Sequence, residues 1–242
     1  MTGVIRELSV HPCLAAGRHS ACGVFFKKAP RTRLRFFLAR PAGLAYLQVP
    51  KVACTSFKIA MAVINRPELA KELSEAPLRI HSEPALSDIA DENSQVLRTL
   101  FRFTFVRNPM DRFLSFYQNK IFYRPKGTVA PTIAEAGFRV GMPLGEVLDR
   151  IEKTAERELD PHIAPQNWFV FDRKRSRVNF IGQVEKLADD LKKLEELSGV
   201  RVELGHYNRS PNREQHRFEL SDRDERRIRE FYAEDFALLG YD

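Results

Sequence analysis

LAYLQVPKVACTSFK, residues 44–58, begins as an apolar run and ends as the first turn of a helix. Leu44 to Val49 suits a buried strand, and Pro50 ends it because proline brings no N–H to a ladder. From Thr55 onward the period becomes helical, with Phe57, Met61 and Ile64 about one turn apart, and a side-chain oxygen of Thr55 or Ser56 is expected to cap the first turn. A strand, turn and helix in this order aims unpaired N–H groups and the positive end of a helix dipole at the turn, which suits a phosphate or a sulfate. Lys51 and the hydroxyls of Thr55 and Ser56 add donors there. The turn lacks the glycines of G-x-x-x-x-G-K-[ST], so by itself the stretch fits any buried strand followed by a capped helix.

A second stretch repeats the pattern. In FRFTFVRNPMDRFLSFYQNKI, residues 101–121, Phe101 to Val106 alternates and is rich in aromatic and β-branched side chains, as a strand requires. Asn108 and Pro109 start a turn, with proline at a helix's first position, and Phe113, Phe116 and Tyr117 then mark a core-facing stripe. Arg107 falls at the carboxyl end of the strand, where open α/β sheets bind ligands. Arg112 and Ser115 share a helix face, so an Arg at the strand end with a helix-borne Ser and Arg is expected to form a fork for a second phosphate.

A third stretch, DPHIAPQNWFVFDRKRSRVNFIGQVEKLADDL over residues 160–191, contains an apolar strand from Val178 to Val184 and then a helix with Leu187, Leu191 and Leu194 on one stripe. Near the end, Ser221 opens a helix with Asp222 and Asp224 in its first turn and Ile228, Phe231 and Tyr232 on its apolar side.

Together these segments resemble the carbohydrate sulfotransferases of the chondroitin and dermatan group, sulfotransferase family 2. VPKVACTSFK is similar to the family's segment for the 5'-phosphosulfate of 3'-phosphoadenosine 5'-phosphosulfate (PAPS). RFTFVRNPMDRFLSFY is similar to its 3'-phosphate segment, with an Arg at the strand end and a Ser eight residues later, here Arg107 and Ser115. The His-x-x-Pro-Gln segment at His162 and the closing Tyr-x-x-Asp-Phe-x-Leu-Leu-Gly-Tyr also resemble the family. The resemblance implies PAPS as cosubstrate, no metal, and a carbohydrate or glycan acceptor. It places Lys51, Val52, Ala53, Cys54, Thr55 and Ser56 around the 5' side and Arg107 and Ser115 on the 3'-phosphate. The chain departs from the Golgi members at NWFVFDRKRSR, where those typically carry a pair of cysteines.

Composition bounds the rest. A chain of 242 residues with 43% hydrophobic side chains supports a substantial core, and a formal net charge of +7 favours an anionic partner. The three cysteines, Cys13, Cys22 and Cys54, have no zinc or disulfide spacing, which points to a reducing, cytoplasmic setting. No run approaches the roughly 18 apolar residues of a membrane span, and the start has no apolar signal core, so stable membrane insertion is not expected. Residues 1–43 read as a basic segment, with Lys27, Lys28, Arg31, Arg33, Arg35 and Arg40 among Phe25, Phe26, Phe36 and Phe37, packed at the periphery of a single domain over residues 44–242. Residues 66–99 read as helix and loop, residues 125–146 as a glycine- and proline-rich loop or lid, and 146–158 as an amphipathic helix.

The expected architecture is α/β: a P-loop-like three-layer α/β/α arrangement with a central, mostly parallel sheet flanked by helices. Sulfuryl transfer depends on positioning and on stabilising charge at the bridging and leaving oxygens, a task for Lys51. It also needs a base near neutrality, for which His162 is the candidate and His81, Glu83 and Glu185 are alternatives. His206, Asn208, Arg209 and Arg213 form a further candidate anion-binding loop. Two other readings stay open: a P-loop-like nucleotide kinase, against which stand the missing glycines and the lack of an Asp at a strand end for magnesium, and a non-catalytic basic module for glycans or nucleic acid. Under the sulfotransferase reading nucleic acid is not a partner.

Overall fold

A computed structural model of the chain describes residues 34–122, 127, 129–173, 175–205 and 220–242. The basic residues Lys27, Lys28, Arg31 and Arg33 and the candidate loop of His206, Asn208, Arg209 and Arg213 lie outside the described residues.

The chain runs through β1 (Arg35–Ala39), β2 (Leu44–Leu47), α1 (Cys54–Asn65), α2 (Leu69–Glu75), α3 (Arg79–Ser82), β3 (Ile89–Asp91), β4 (Phe101–Val106) and α4 (Pro109–Phe116). A π-helical turn, Tyr117–Phe122, extends α4. There follow α5 (Pro131–Glu135), α6 (Leu144–Lys153), α7 (Asn167–Val170), a short hairpin of β5 (Phe171–Asp172) and β6 (Arg175–Ser176), β7 (Phe180–Gln183), α8 (Leu187–Ser198), α9 (Asp222–Phe231) and α10 (Ala233–Leu239).

Five strands form one sheet in the order β3-β1-β2-β4-β7. The pairs β2–β4 and β4–β7 are parallel, whereas β1 is antiparallel to both β2 and β3. Four of the five strands therefore point the same way, and β1 alone runs against them. Alternation sorts the side chains into two layers. Leu44, Tyr46, Phe103 and Phe105 meet Phe57, Ala60 and Met61 of α1 and Leu194 of α8 on one face. Ala45, Leu47 and Val106 meet Phe113, Phe116, Val147, Leu148, Ile151 and Ile228 from α4, α6 and α9 on the other. The expected three-layer fold is thus present, with the predicted stripes on α1, α4, α6, α8 and α9 facing inward.

Several expectations need correction. The segment before residue 44 is not peripheral: β1 lies inside the sheet, and Phe36 and Phe37 are buried on opposite faces of it. After Arg35, its RFFLA is a continuous apolar run buried on both faces of the sheet, short enough to be masked by the surrounding basic residues. Residues 66–99 contain an edge strand, β3, too short for its period to show. The described part of the supposed lid is anchored rather than loose, because Ile133, Phe138 and Met142 are buried and the Tyr117 hydroxyl donates to the Met142 carbonyl at 3.1 Å.

Candidate active site

Because β2, β4 and β7 are parallel, the segments leaving their carboxyl ends converge on one edge of the sheet. After β2 comes the turn Pro50–Ala53. Lys51 (φ 71°) and Ala53 (φ 61°) are both in the left-handed region, an arrangement that curls successive N–H groups into a concave anion-binding nest at the start of α1. Val52 is fully buried, and the half-buried Cys54 opens the helix. The expected side-chain cap is absent: Ala53 is the N-cap. Thr55 instead hydrogen-bonds His81, and the Ser56 hydroxyl donates to the Gly205 carbonyl at 3.0 Å. Those bonds tie the loop to distant parts of the chain.

Lys51 is a cation among cations. Burial first, and then the like charges of Lys120, Arg107 and Arg112, lower its pKa to about 8. Such a cluster has the opposite charge to a phosphosulfate, and an anion there would relieve the repulsion.

Arg107 follows β4. Its backbone is held by a fully buried side chain, Gln166, which accepts from the Arg107 N–H at 3.0 Å and donates to the Arg107 carbonyl at 2.7 Å. Gln166 is in turn fixed by Asp235 of α10, whose carboxylate accepts from the backbone N–H groups of Gln166 and Asn167. Asn108 caps α4 by accepting from Met110 and Asp111, with Pro109 at the first helical position as expected. Ser115 is half-buried in the last turn of α4, beside the Asn119 amide, 3.4 Å from its Oγ. Arg112 does not join Arg107 and Ser115 in a phosphate fork. It is fully buried, and its guanidinium donates to the carbonyls of Pro50 (2.9 Å), Ala164 (3.0 Å) and Pro161 (3.2 Å). A helix-face argument cannot see this, since Arg112 is drawn inward by carbonyls from two other segments.

The Pro161–Ala164 segment carries His162. Asp160 Oδ1 accepts from the His162 backbone N–H at 2.8 Å and lies 2.7 Å from Nδ1. That contact assigns the proton to Nδ1 and leaves Nε2 as an acceptor. Burial holds the His162 pKa below its usual 6.5, only partly offset by Asp160. Burial pushes the Asp160 carboxyl up, but the hydrogen bonds and charge of His162, together with the charge of Lys120, outweigh it and keep this carboxyl below its ordinary value. The other candidate bases are otherwise occupied. Glu83 takes both oxygens' worth of hydrogen bonds from Arg79, Glu185 accepts from the Asn108 N–H and the Tyr241 hydroxyl, and both ring nitrogens of His81 are engaged.

Lys120 was not singled out in the sequence. It sits in the π-helical turn beyond Ser115, and its charge bears on Lys51, His81, His162 and Asp160, which places it among them. Such a widened turn re-aims a side chain by a register that helical periodicity does not predict. Gln166 and Asp160 were also missed, although an Asp two residues before a His is a spacing that suits a side chain bonding back to the ring and its N–H. Among the described residues, no group of three His, Cys, Asp or Glu side chains could hold a metal ion, and no helix is long and apolar enough to cross a membrane.

Known proteins match this arrangement in sequence. The profile of the sulfotransferase family matches residues 34–242. Carbohydrate sulfotransferase 10 of Xenopus laevis and that of Homo sapiens are each 25% identical to the chain over 239 residues, covering 86% of it and 67% of the relative. Carbohydrate sulfotransferase 14 of Homo sapiens is 36% identical over 97 residues, 37% of the chain and 24% of the relative. No solved structure matches the chain significantly. With a family profile spanning the whole sheet and every segment at its carboxyl edge, the chain belongs to the sulfotransferase family.

Proposed function

We propose that this sulfotransferase moves the sulfuryl group of PAPS to a hydroxyl of a carbohydrate acceptor. The observation that carries the reading is the convergence of the Lys51 nest, the strand-end Arg107 and the Asp160–His162 pair on one sheet edge. The nest and the start of α1, with Thr55 and Ser56, would hold the 5'-phosphosulfate, while Arg107 and Ser115 would hold the 3'-phosphate. That the relatives are named carbohydrate sulfotransferases supports a sugar acceptor.

In the reaction, the acceptor oxygen forms a bond to sulfur as the bond from sulfur to the bridging phosphate oxygen breaks. The hydroxyl proton passes to Nε2 of His162, and adenosine 3',5'-bisphosphate leaves with the electron pair. Lys51 opposes the charge that grows on the bridging oxygen, and Asp160 stabilises the imidazolium that forms. A kinase reading has less support, since the strand-end acid Glu185 is already engaged by Asn108 and Tyr241.

Calorimetric titration with adenosine 3',5'-bisphosphate tests the donor site. Micromolar binding is expected for the wild type, weakened at least about 10-fold, or roughly 1.4 kcal/mol, in Arg107→Ala. A folded wild type that does not bind would overturn the reading.

A further inference from the structure

Three polar side chains of the closing motif, which the transfer reaction itself does not employ, reach segments at the carboxyl edge of the sheet. The Tyr232 hydroxyl donates to the Ile163 carbonyl at 2.6 Å, next to His162. The Asp235 carboxylate accepts from the Gln166 N–H at 2.7 Å. The Tyr241 hydroxyl donates to Glu185 Oε2 at 2.8 Å. Tyr241 gets there because α10 ends at Gly240, whose φ of 71° turns the chain back. The Tyr241 N–H then donates to the Phe236 carbonyl at 3.0 Å, and Gln183 at the end of β7 donates its side-chain amide to the Leu239 carbonyl at 3.1 Å.

Two of these chains of contacts end on one turn. Val106 is the last residue of β4 paired with β7, and beyond it each backbone N–H and C=O needs another partner. Gln166 serves Arg107, accepting from its N–H at 3.0 Å and donating to its carbonyl at 2.7 Å. Glu185 Oε1 takes the next group, the Asn108 N–H, at 2.7 Å. Three successive backbone groups at the strand end are thus held by side chains that the closing motif holds in turn. Glu185 is exposed, so without Tyr241 on its second oxygen the carboxylate would be free to turn into solvent. Burial first, and then Glu185, push the Tyr241 phenol up, while the charge of Arg107 pulls it back. The hydroxyl therefore keeps its proton for Glu185, and the pair lies within the field of Arg107.

We infer that Tyr241 and Glu185 are positioning residues for the 3'-phosphate: they brace the Asn108 amide and so fix the backbone that carries Arg107. The inference rests on the reading of Arg107 as a ligand of that phosphate. It makes the closing motif a working part of the donor site.

Calorimetric titration of adenosine 3',5'-bisphosphate against adenosine 5'-monophosphate, which lacks the 3'-phosphate, tests it. Glu185 is exposed and Tyr241 half-buried, so changes at either spare the core. Tyr241→Phe and Glu185→Ala should each bind the bisphosphate about 5-fold more weakly, with monophosphate affinity unchanged. Glu185→Gln keeps an acceptor for Asn108 and a partner for Tyr241 while removing a negative charge near an anion, so it should bind at least as well as wild type. In the Arg107→Ala background, Tyr241→Phe should cause no further loss, because a residue acting through Arg107 has nothing left to position. Equal losses for both nucleotides, a loss that persists without Arg107, a loss in Glu185→Gln matching that in Glu185→Ala, or no loss in either Tyr241→Phe or Glu185→Ala overturns the positioning role. A wild type that binds the two nucleotides equally well overturns the reading of Arg107 itself and this role with it, whereas a wild type that discriminates between them beside unchanged variants overturns the brace alone.

Discussion

With its pKa lowered to about 8, Lys51 titrates close to the working range of the reaction. It is charged below that pH, so both donor affinity and the stabilisation of the bridging oxygen should fall as pH rises through about 8. His162 acts in its neutral form, and burial sets its pKa below 6.5, so the rate should fall on the acid side of that value. We predict a bell-shaped profile of kcat/KM bounded by these two groups. An anionic donor favours charged Lys51, so the alkaline limb of kcat should lie above that of kcat/KM. His162→Ala should lower turnover by roughly 10²-fold and abolish the acid limb while leaving nucleotide affinity intact. Unchanged turnover in that variant would remove His162 from the mechanism. The residue types at these positions were readable in the chain because Lys51, Arg107 and Ser115 lie in short segments whose geometry comes from their neighbours. Their environments were not: nothing local to Lys51 shows that Lys120, Arg107 and Arg112 surround it.

Among the elements, α1 and α4 do the positioning. Phe57 of α1 stacks on Tyr46 and Phe105, with ring centroids 4.8 Å and 4.6 Å away, and so seats the donor helix on β2 and β4. β7 can approach β4 because Gly182 has no Cβ: one added there would collide with the Phe105 ring. Gly182→Ala should destabilise the fold by about 1–3 kcal/mol in denaturant titrations, since neither the ring nor the strand has room to give. Arg112 of α4 holds the Lys51 turn to the His162 segment through the carbonyls of Pro50, Pro161 and Ala164. Arg112→Met strands these buried acceptors and should cost about 3 kcal/mol or more of stability. A smaller loss would mean that water reaches the carbonyls. The helices themselves were legible from their apolar stripes. The role of Arg112 was not, because its three acceptors come from segments about fifty or more residues away.

For the molecule as a whole, the order β3-β1-β2-β4-β7 makes β1 the link between the edge strand β3 and the central strand β2. A chain cut to residues 44–242 loses β1 and leaves β3 without its partner, exposing one side of β2. It should fail to unfold cooperatively in a thermal melt followed by circular dichroism, whereas residues 34–242 should melt as one unit. A cooperative melt of the shorter chain would show that β1 is dispensable.

The sequence by itself determined the strand–turn–helix units and the chemistry they present, because strand alternation, helical period, proline at Pro109 and the spacing of Arg107 and Ser115 act over a few residues. Only the tertiary structure decided the company each group keeps. His81 reaches Thr55 across 26 residues of chain, Gln166 reaches Arg107 across 59, and Asp235 reaches Gln166 across 69. Such pairings depend on how helices settle on the sheet and on which buried polar groups must find partners there, a balance set by burial of the whole core and written in no single stretch of the chain.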